Sequence, residues 1–227
     1  MKFPTIASLL AIPKIIMLNL KAFPLKTAIK LPIYCSHRVK IEGVTRGSIV
    51  INAPIKRRMI RIGMNHPPGL MSEKSVGYFG ISKGAKLVFN GTATISGGSS
   101  VKVLPGGVLT IGDHFYCNPF CKILCKKEIT IGEDNLWGWN ITVNDGDGHP
   151  VVSANDKTNE RLNPNKAVVI GNHVWIGATA SLLKGSQIPD GSVVAYSSVV
   201  LKAFTEQNCV IAGYPAKVTK SNVTWNH

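Results

Sequence analysis

Acidic residues are scarce in this sequence: of 227 residues, 12 are Asp or Glu, whereas 26 are Lys or Arg. Residues 1–75 hold 13 Lys or Arg against 2 Asp or Glu, and the rest of the chain holds 13 against 10. A hydrophobic content of 44% excludes a disordered chain, because it offers enough apolar surface to offset the entropy lost on folding. A basic end on a nearly neutral body predicts contact with an anionic partner, such as a membrane surface or an acidic glycan carrier.

Cysteine is also sparse, with five residues, an odd number, and no CxxC pair. Cys117, Cys121 and Cys125 lie four apart, but no His or Cys cluster completes a metal-ligand set of known spacing. These thiols therefore predict small apolar core positions rather than a metal or redox site, and no metal is expected. Unpaired cysteines favour a reducing, cytoplasmic location. No nucleic-acid partner is expected, since helix-turn-helix, zinc-finger and RNA-binding signatures are missing.

No uninterrupted hydrophobic run is long enough to predict a membrane span. The segment from Phe3 to Leu20 is mostly apolar, but Pro4, Pro13 and Lys14 interrupt it, and no small-residue cleavage site follows. The spacing predicts a helix, within a basic N-terminal segment of residues 1–37, that carries an aliphatic face of Ile6, Leu9, Leu10, Ile16, Met17 and Leu20. Two interpretations stay open: the helix packs on the domain or on a neighbouring subunit, or it lies peripherally on the inner face of an anionic membrane, aided by Lys14, Lys21, Lys26 and Lys30.

The positive signal is a repeat of six residues. The unbroken series comprises Ile170, Ile176, Leu182, Ile188, Val194 and Val200. Upstream the spacing recurs, with an offset of two before the fifth member, at Ile111, Cys117, Ile123, Ile129, Ile131, Trp137 and Val143. Weaker members of the pattern are Ile81, Leu87 and Ala93.

A period of six does not keep one face of an α-helix inward, but short strands joined by turns can use it. Each hexad would supply one flat side of a coil, with its leading aliphatic residue inside and rungs stacked by parallel ladders. The sequence therefore predicts an all-β solenoid over residues 38–220 and a tail at 221–227. A polar stretch at 144–166 breaks the period and is expected to be an inserted loop, which on a rigid scaffold is a usual place for function.

Three segments of the repeat region resemble the hexapeptide-repeat acyltransferases, in particular galactoside, maltose, capsule and O-antigen acetyltransferases. They are Ile170-Gly171-Asn172-His173-Val174-Trp175-Ile176-Gly177-Ala178, then Ile188-Pro189-Asp190-Gly191-Ser192-Val193-Val194-Ala195, and then Ala212-Gly213-Tyr214-Pro215-Ala216-Lys217. The resemblance covers roughly residues 80–220. It implies a left-handed parallel β-helix, a homotrimer, active sites between adjacent subunits, and acetyl-CoA as the acetyl donor.

The resemblance assigns catalysis to His149, because Gly148-His149-Pro150-Val151 is similar to the family's catalytic histidine segment. The chemistry suits the residue: a sugar hydroxyl must lose its proton as it attacks a thioester, and an imidazole with an ordinary pKa of about 6.5 can accept that proton. Asp145 and Asp147 are both candidates to orient the ring. Asn118 lies where the sugar acetyltransferases carry an asparagine near the acceptor.

The resemblance also implies cofactor contacts. It places an oxyanion-stabilising backbone N–H near Gly177 and Ala178, where small side chains would admit the pantetheine arm. The further positions that it assigns to CoA are Tyr196, Lys202, Lys217 and Lys220, the lysines being suited to the phosphates. Tyr196 stands where relatives usually have alanine, which puts the local pantetheine geometry in question.

Together these features predict an O-acetyltransferase that acts on a sugar hydroxyl in surface-polysaccharide biosynthesis. Two alternatives stay open: N-acetylation of an amino sugar nucleotide, and a non-catalytic β-helix scaffold. A zinc carbonic anhydrase of the same fold is disfavoured, because residues 176–183 lack the required histidine pair.

Overall fold

The computed structural model describes residues 6–64, 75–155 and 159–226. Two helices come first, α1 (Ile6–Ala22) and α2 (Leu25–Ala28). Twelve strands follow: β1 (Ile33–Cys35), β2 (Val39–Glu42), β3 (Ile49–Ile51), β4 (Ile60–Ile62), β5 (Gly77–Ile81), β6 (Lys86–Phe89), β7 (Ala93–Ile95), β8 (Ser100–Val103), β9 (Val108–Ile111), β10 (Phe115–Cys117), β11 (Lys122–Cys125) and β12 (Glu128–Ile131). The remaining ten are β13 (Leu136–Trp137), β14 (Thr142–Asn144), β15 (Val168–Ile170), β16 (Trp175–Ile176), β17 (Ser181–Leu183), β18 (Gln187–Ile188), β19 (Val193–Val194), β20 (Val199–Val200), β21 (Val210–Gly213) and β22 (Ala216–Lys220).

These strands form three sheets, each built from every third strand in the chain. Sheet 1 has the order β1-β4-β7-β10-β13-β16-β19-β21-β22, sheet 2 the order β2-β5-β8-β11-β14-β17-β20, and sheet 3 the order β3-β6-β9-β12-β15-β18. Pairing is parallel except between β21 and β22, which close the coil as an antiparallel pair. The chain thus winds through the three sheets in turn, and the predicted left-handed parallel β-helix is confirmed.

The hexad leaders form the core, as the period predicts. All six residues of the unbroken series are at most 2% exposed, and so are the seven of the upstream series. The registers stack these leaders directly: Ile131 pairs with Ile170, which pairs with Ile188. Because each leader contacts the one above and the one below, the shaft is a continuous apolar column rather than a separate core in each rung.

Helix α1 packs against β1 at the N-terminal end of the coil. Its buried side comprises Ala11, Ile15, Leu18, Asn19 and Ala22. The Asn19 carboxamide ties helix to strand, donating to the Ile33 carbonyl at 2.8 Å and accepting from the Ile33 N–H at 3.1 Å. The first strand starts at Ile33, so the coil begins inside the range that the sequence assigned to the N-terminal segment.

The opposite side of α1 is apolar and exposed. It carries Leu9, Leu10, Ile12, Ile16, Met17 and Leu20, each between 44% and 59% exposed. The aliphatic face predicted from the sequence is therefore not the face that packs on the domain. This holds for its described side chains, from Leu9 to Leu20. No helix in the described residues is long and apolar enough to cross a membrane.

The six-residue period breaks between β14 and β15, at the polar stretch predicted to be inserted. From Asp145 to Ala167 the chain leaves the coil at the corner where sheet 2 turns into sheet 3. The sequence also predicts a loop around His66-Pro67-Pro68-Gly69, and these residues lie outside the described ranges.

Candidate active site

A cavity of about 300 Å³ opens at the corner where sheet 1 turns into sheet 2. Successive rungs contribute to it, because the turns after β10, β13, β16 and β19 lie above one another. Its lining consists of Asn118, Leu136, Gly138, Trp139, Trp175, Gly177, Ala178, Val193, Val194, Ala195 and Tyr196. Four residues predicted from the sequence are thus brought together: Asn118, Gly177, Ala178 and Tyr196.

Close stacking of rungs explains the small residues at this corner. A Cβ at Gly177 would lie 2.6 Å from the Tyr196 nitrogen, and a Cβ at Gly138 would lie 2.6 Å from the Ala178 nitrogen. Either side chain would push the rungs apart. Glycine here therefore keeps the ladder closed and leaves the adjacent space open for a ligand.

Hydrogen bonding distinguishes the two backbone donors predicted near the cavity. The Gly177 N–H donates to the Val194 carbonyl at 2.7 Å, as part of the sheet 1 ladder. The Ala178 N–H has no acceptor among the described residues, although Ala178 is only 5% exposed. A donor that is buried and unpaired beside a cavity is suited to a ligand oxygen. Ala178, rather than Gly177, is therefore the candidate donor.

Asn118 is held by its own rung. Both its backbone N–H and its Nδ2 donate to the Trp137 carbonyl, at 3.0 and 2.9 Å. The side chain is half-buried, and the hydrogen bond from Nδ2 fixes the orientation of the amide and therefore of its Oδ1. In this position the carboxamide can accept from a ligand hydroxyl or donate its second Nδ2 hydrogen.

Sequence reasoning missed the two tryptophans of the cavity. Trp139 is 42% exposed and Trp175 is 41% exposed, while Tyr196 is 65% exposed. Their signal was present, because Trp175 precedes the inward leader Ile176 and must therefore point outward. A large apolar side chain at an outward position is the anomaly that marks a binding surface.

His149 lies elsewhere in the chain. It is exposed, and it belongs to the insertion at the corner between sheets 2 and 3, whereas the cavity is at the corner between sheets 1 and 2. The His149 ring has no hydrogen bond to any of the described residues. A single copy of the chain does not bring this ring to the cavity.

Both aspartates that the sequence offered as partners for His149 are engaged elsewhere. Asp145 is fully buried and accepts three backbone N–H groups, from Lys126, Lys127 and Glu128, each at 2.7 Å. Asp147 accepts from Asn163 Nδ2 at 2.6 Å and from Lys184 Nζ at 2.5 Å. Within one chain, neither carboxylate orients the imidazole.

The three predicted CoA lysines do not line the cavity. Lys202 follows β20 and sits over the Phe204 ring at 5.4 Å. Lys217 and Lys220 are exposed on β22, in the same sheet as the cavity and beyond it towards the C-terminal end. Their positions on the last rungs leave the charges free for a ligand that extends out of the cavity.

The cysteines are buried and reduced. Burial raises the pKa of Cys125 to about 12 and that of Cys35 to about 11, so both remain thiols at neutral pH. Among the described residues, no group of three or more His, Cys, Asp or Glu side chains could hold a metal ion.

Comparison with known proteins finds O-acetyltransferases among the similar chains. The chain is 35% identical over 127 residues to a putative lipopolysaccharide biosynthesis O-acetyltransferase of Escherichia coli K12, covering 53% of this chain and 63% of that protein. It is 34% identical over 148 residues to a polysialic acid O-acetyltransferase of E. coli O1:K1, covering 65% of this chain and 44% of that protein. A solved polysialic acid O-acetyltransferase superposes with a TM-score of 0.57 at 25% identity, over 86% of this chain and 87% of the other.

The chain therefore spans between about two fifths and two thirds of the length of these two curated relatives. No protein-family model matches it.

Proposed function

We propose that the chain is a hexapeptide-repeat acyltransferase that transfers an acetyl group from acetyl-CoA to a sugar hydroxyl in the biosynthesis of a surface polysaccharide, a proposal supported by its similarity to O-acetyltransferases. The observation that carries this proposal is the cavity lined by Ala178, a buried residue whose backbone N–H has no acceptor among the described residues and which lies beside the small residues Gly138 and Gly177. An acyl group needs both features, room for the pantetheine arm and a donor for its carbonyl oxygen.

In the proposed reaction the acceptor hydroxyl oxygen attacks the thioester carbonyl carbon while His149 accepts the hydroxyl proton. The carbonyl oxygen gains negative charge in the tetrahedral intermediate and accepts from the Ala178 N–H. Collapse re-forms the carbonyl and breaks the C–S bond, and the proton held by His149 passes to the CoA thiolate. A positioned general base supplies about 10²- to 10⁴-fold, and one backbone donor a few kcal/mol.

Asn118, at the wall of the cavity, would hydrogen-bond the acceptor. Gly177, Ala178 and Tyr196 would contact the pantetheine arm, and Lys202, Lys217 and Lys220 the CoA phosphates. The exposed Tyr196 ring fits an outer wall of this site rather than its floor, since it is the most exposed of the lining aromatic rings.

The active unit is proposed to be a homotrimer. Two parts of the reaction, the base and the cavity, sit on different corners of one triangular coil. Packing of coils side by side would place the insertion of one copy against the cavity of the next, and threefold symmetry would repeat the contact.

A comparison of two histidine variants tests the activity. His149→Ala should lower acetyl transfer from acetyl-CoA to a sugar acceptor by about 10²-fold or more, followed as thiol release. His114→Ala is the matched control, because His114 is also exposed but sits at another corner. A fully active His149→Ala enzyme would rule out the mechanism, and wild-type protein without thiol release on any of a panel of sugars would rule out the function.

The exposed side of α1 is proposed to rest on an anionic bilayer at the cytoplasmic face of the membrane. A helix that is apolar on both sides needs a second apolar neighbour, and one side of α1 is already covered by β1. The excess of 13 basic over 2 acidic residues in positions 1–75 favours anionic lipid as the occupant. Lipid contact would fit an acceptor carried on a membrane anchor.

Vesicle co-sedimentation tests the membrane contact. A triple variant, Leu10→Ser, Ile16→Ser and Met17→Ser, should weaken binding to anionic phosphatidylglycerol vesicles by about tenfold or more, since each side chain loses roughly 1 kcal/mol of burial. The control replaces three exposed aliphatic residues of the coil, Val108, Val169 and Leu201, with Ser. Equal loss in both triple variants, or a changed oligomeric mass in the α1 variant alone, would contradict a lipid occupant.

A further inference from the structure

The inserted loop folds back on itself beside His149. The Leu162 N–H donates to the Val151 carbonyl at 2.7 Å, and Val152 and Arg161 form an antiparallel bridge. This return brings Asn163 next to the segment 147–151, fourteen residues from His149 along the chain.

Three of the four hydrogen bonds of the Asn163 side chain are made with that segment. Its Nδ2 donates to Asp147 Oδ2 at 2.6 Å and to the His149 carbonyl at 2.9 Å. Its Oδ1 accepts from the Val151 N–H at 2.7 Å and from Arg161 Nε at 3.2 Å. One side chain is therefore hydrogen-bonded to the His149 carbonyl, to the Asp147 carboxylate and to the Val151 N–H.

Asp147 connects this set of hydrogen bonds to the coil. Asp147, which receives one Asn163 hydrogen bond, also accepts from Lys184 Nζ at 2.5 Å, and Lys184 follows the end of β17. Lys126 donates to the Asp147 carbonyl from the turn after β11. Hydrogen bonds thus lead from two rungs, through Asp147, to Asn163 and the His149 backbone.

We propose that Asn163 is a positioning residue for His149, a role that rests on the proposed function. Only an amide side chain offers two donors and an acceptor at once, which this site requires. A base on an exposed loop must be held within a fraction of an ångström of its working place, and a misplacement of 1 Å costs about 10²-fold in rate. Asn163 supplies that restraint through its hydrogen bonds to the backbone of the segment.

Three variants test the proposal. Asn163→Ala removes all four contacts, and Asn163→Asp keeps the acceptor while placing a second carboxylate against Asp147. The matched control is Asn155→Ala in the same insertion, since the Asn155 side chain makes no hydrogen bond with the described residues. Acetyl transfer, thermal unfolding and amide hydrogen exchange of the peptide 147–152 are measured on the full-length protein.

Both Asn163 variants should lower kcat by about 10- to 100-fold with the KM for acetyl-CoA changed less than about twofold. In Asn163→Ala, exchange at the Val151 amide should accelerate, because that N–H loses its acceptor. The unfolding temperature of both variants, and the activity of the Asn155→Ala enzyme, should match wild type. Wild-type kcat in Asn163→Asp, or unchanged exchange in Asn163→Ala, would overturn the proposal. If wild-type protein transfers no acetyl group, the proposed function fails, while the exchange measurement still decides whether Asn163 holds the segment.

Discussion

Asp145 and Asp147 stand two residues apart at the start of the insertion, and their surroundings give them different roles. Asp145 is fully buried, and its carboxylate accepts three backbone N–H groups of the turn after β11, so it stabilises that turn. Asp147 is half-exposed and is paired with Lys184 and Asn163. Sequence alone offered both as partners of His149, because spacing does not reveal which carboxylate the coil has already engaged.

The Lys184 ammonium, with further help from Asn163, holds the pKa of the Asp147 carboxyl below its ordinary value of 3.8. The ionised form is therefore the one that the folded insertion favours. Its contribution is complete above pH 3.8 and is lost as the pH falls through the lower folded-state pKa. At neutral pH the anchor of the insertion is thus intact.

Replacing Lys184 with Met should raise the pKa of Asp147 towards 3.8, because the hydrogen bond and the positive charge are both removed. Carbon-13 NMR of labelled aspartate carboxyl groups measures the shift, with Asp147→Asn to assign the resonance. Lys122→Met is the control, since Lys122 is exposed on β11. An Asp147 titration that is identical in Lys184→Met and wild type would contradict this account of the anchor.

His173 shows the limit of hexad reasoning at a single residue. A residue in a turn between two inward leaders is expected to direct its side chain outward. The structure instead stacks the ring on Trp225 with centroids 4.2 Å apart, and His173 Nδ1 lies 2.6 Å from Asp134 Oδ2. The partner comes from the tail, 52 residues later, and a six-residue period contains no information on such a contact.

At the scale of elements, the coil and the place of the insertion could be predicted, whereas the internal structure of the insertion could not. A strict period fixes which residues point inward, and every leader of the two main series is buried. The insertion has no period, and its shape depends on long-range pairs such as Lys184 with Asp147. For the same reason the cavity escaped prediction as a whole: its lining comes from four rungs that only the three-dimensional register places together.

Asp145 is the residue on which the start of the insertion depends. Asp145→Ala should lower the free energy of unfolding by about 2 kcal/mol, because three part-buried backbone donors lose their acceptor. Asp145→Asn should cost less, since one carbonyl oxygen remains. Urea unfolding followed by circular dichroism measures both, with the exposed Asp190→Asn as control. Equal stability of Asp145→Ala and wild type would show that water or a shifted turn satisfies these donors.

On the scale of the whole molecule, charge and site lie at different heights along the coil. Helix α1 packs at the end of the coil that starts with β1, and the cavity begins three strands further along sheet 1, at the turn after β10. At about 4.8 Å per strand, the cavity begins roughly 14 Å from β1, and a bilayer against the exposed side of α1 would lie further away by the width of the helix. The proposed acceptor would then be a glycan long enough to reach that height from its lipid anchor.

The separation of His149 from the cavity leads to a prediction about subunits. If the base of one copy serves the cavity of the next, two inactive variants can complement each other. His149→Ala keeps its cavity intact, and Asn118→Ala keeps its base intact. Mixed trimers should then contain sites in which the cavity of a His149→Ala copy meets His149 of an Asn118→Ala copy.

Random assembly of the two variants in equal amounts sets the expected yield. Each directed contact joins a sound cavity to a sound base in about one case in four, so the mixture should recover about a quarter of wild-type specific activity. Acetyl transfer is measured after co-refolding and compared with the same proteins mixed without refolding. If the co-refolded mixture is no more active than the proteins mixed without refolding, base and cavity act within one chain. The insertion would then have to move across sheet 2 to reach the cavity.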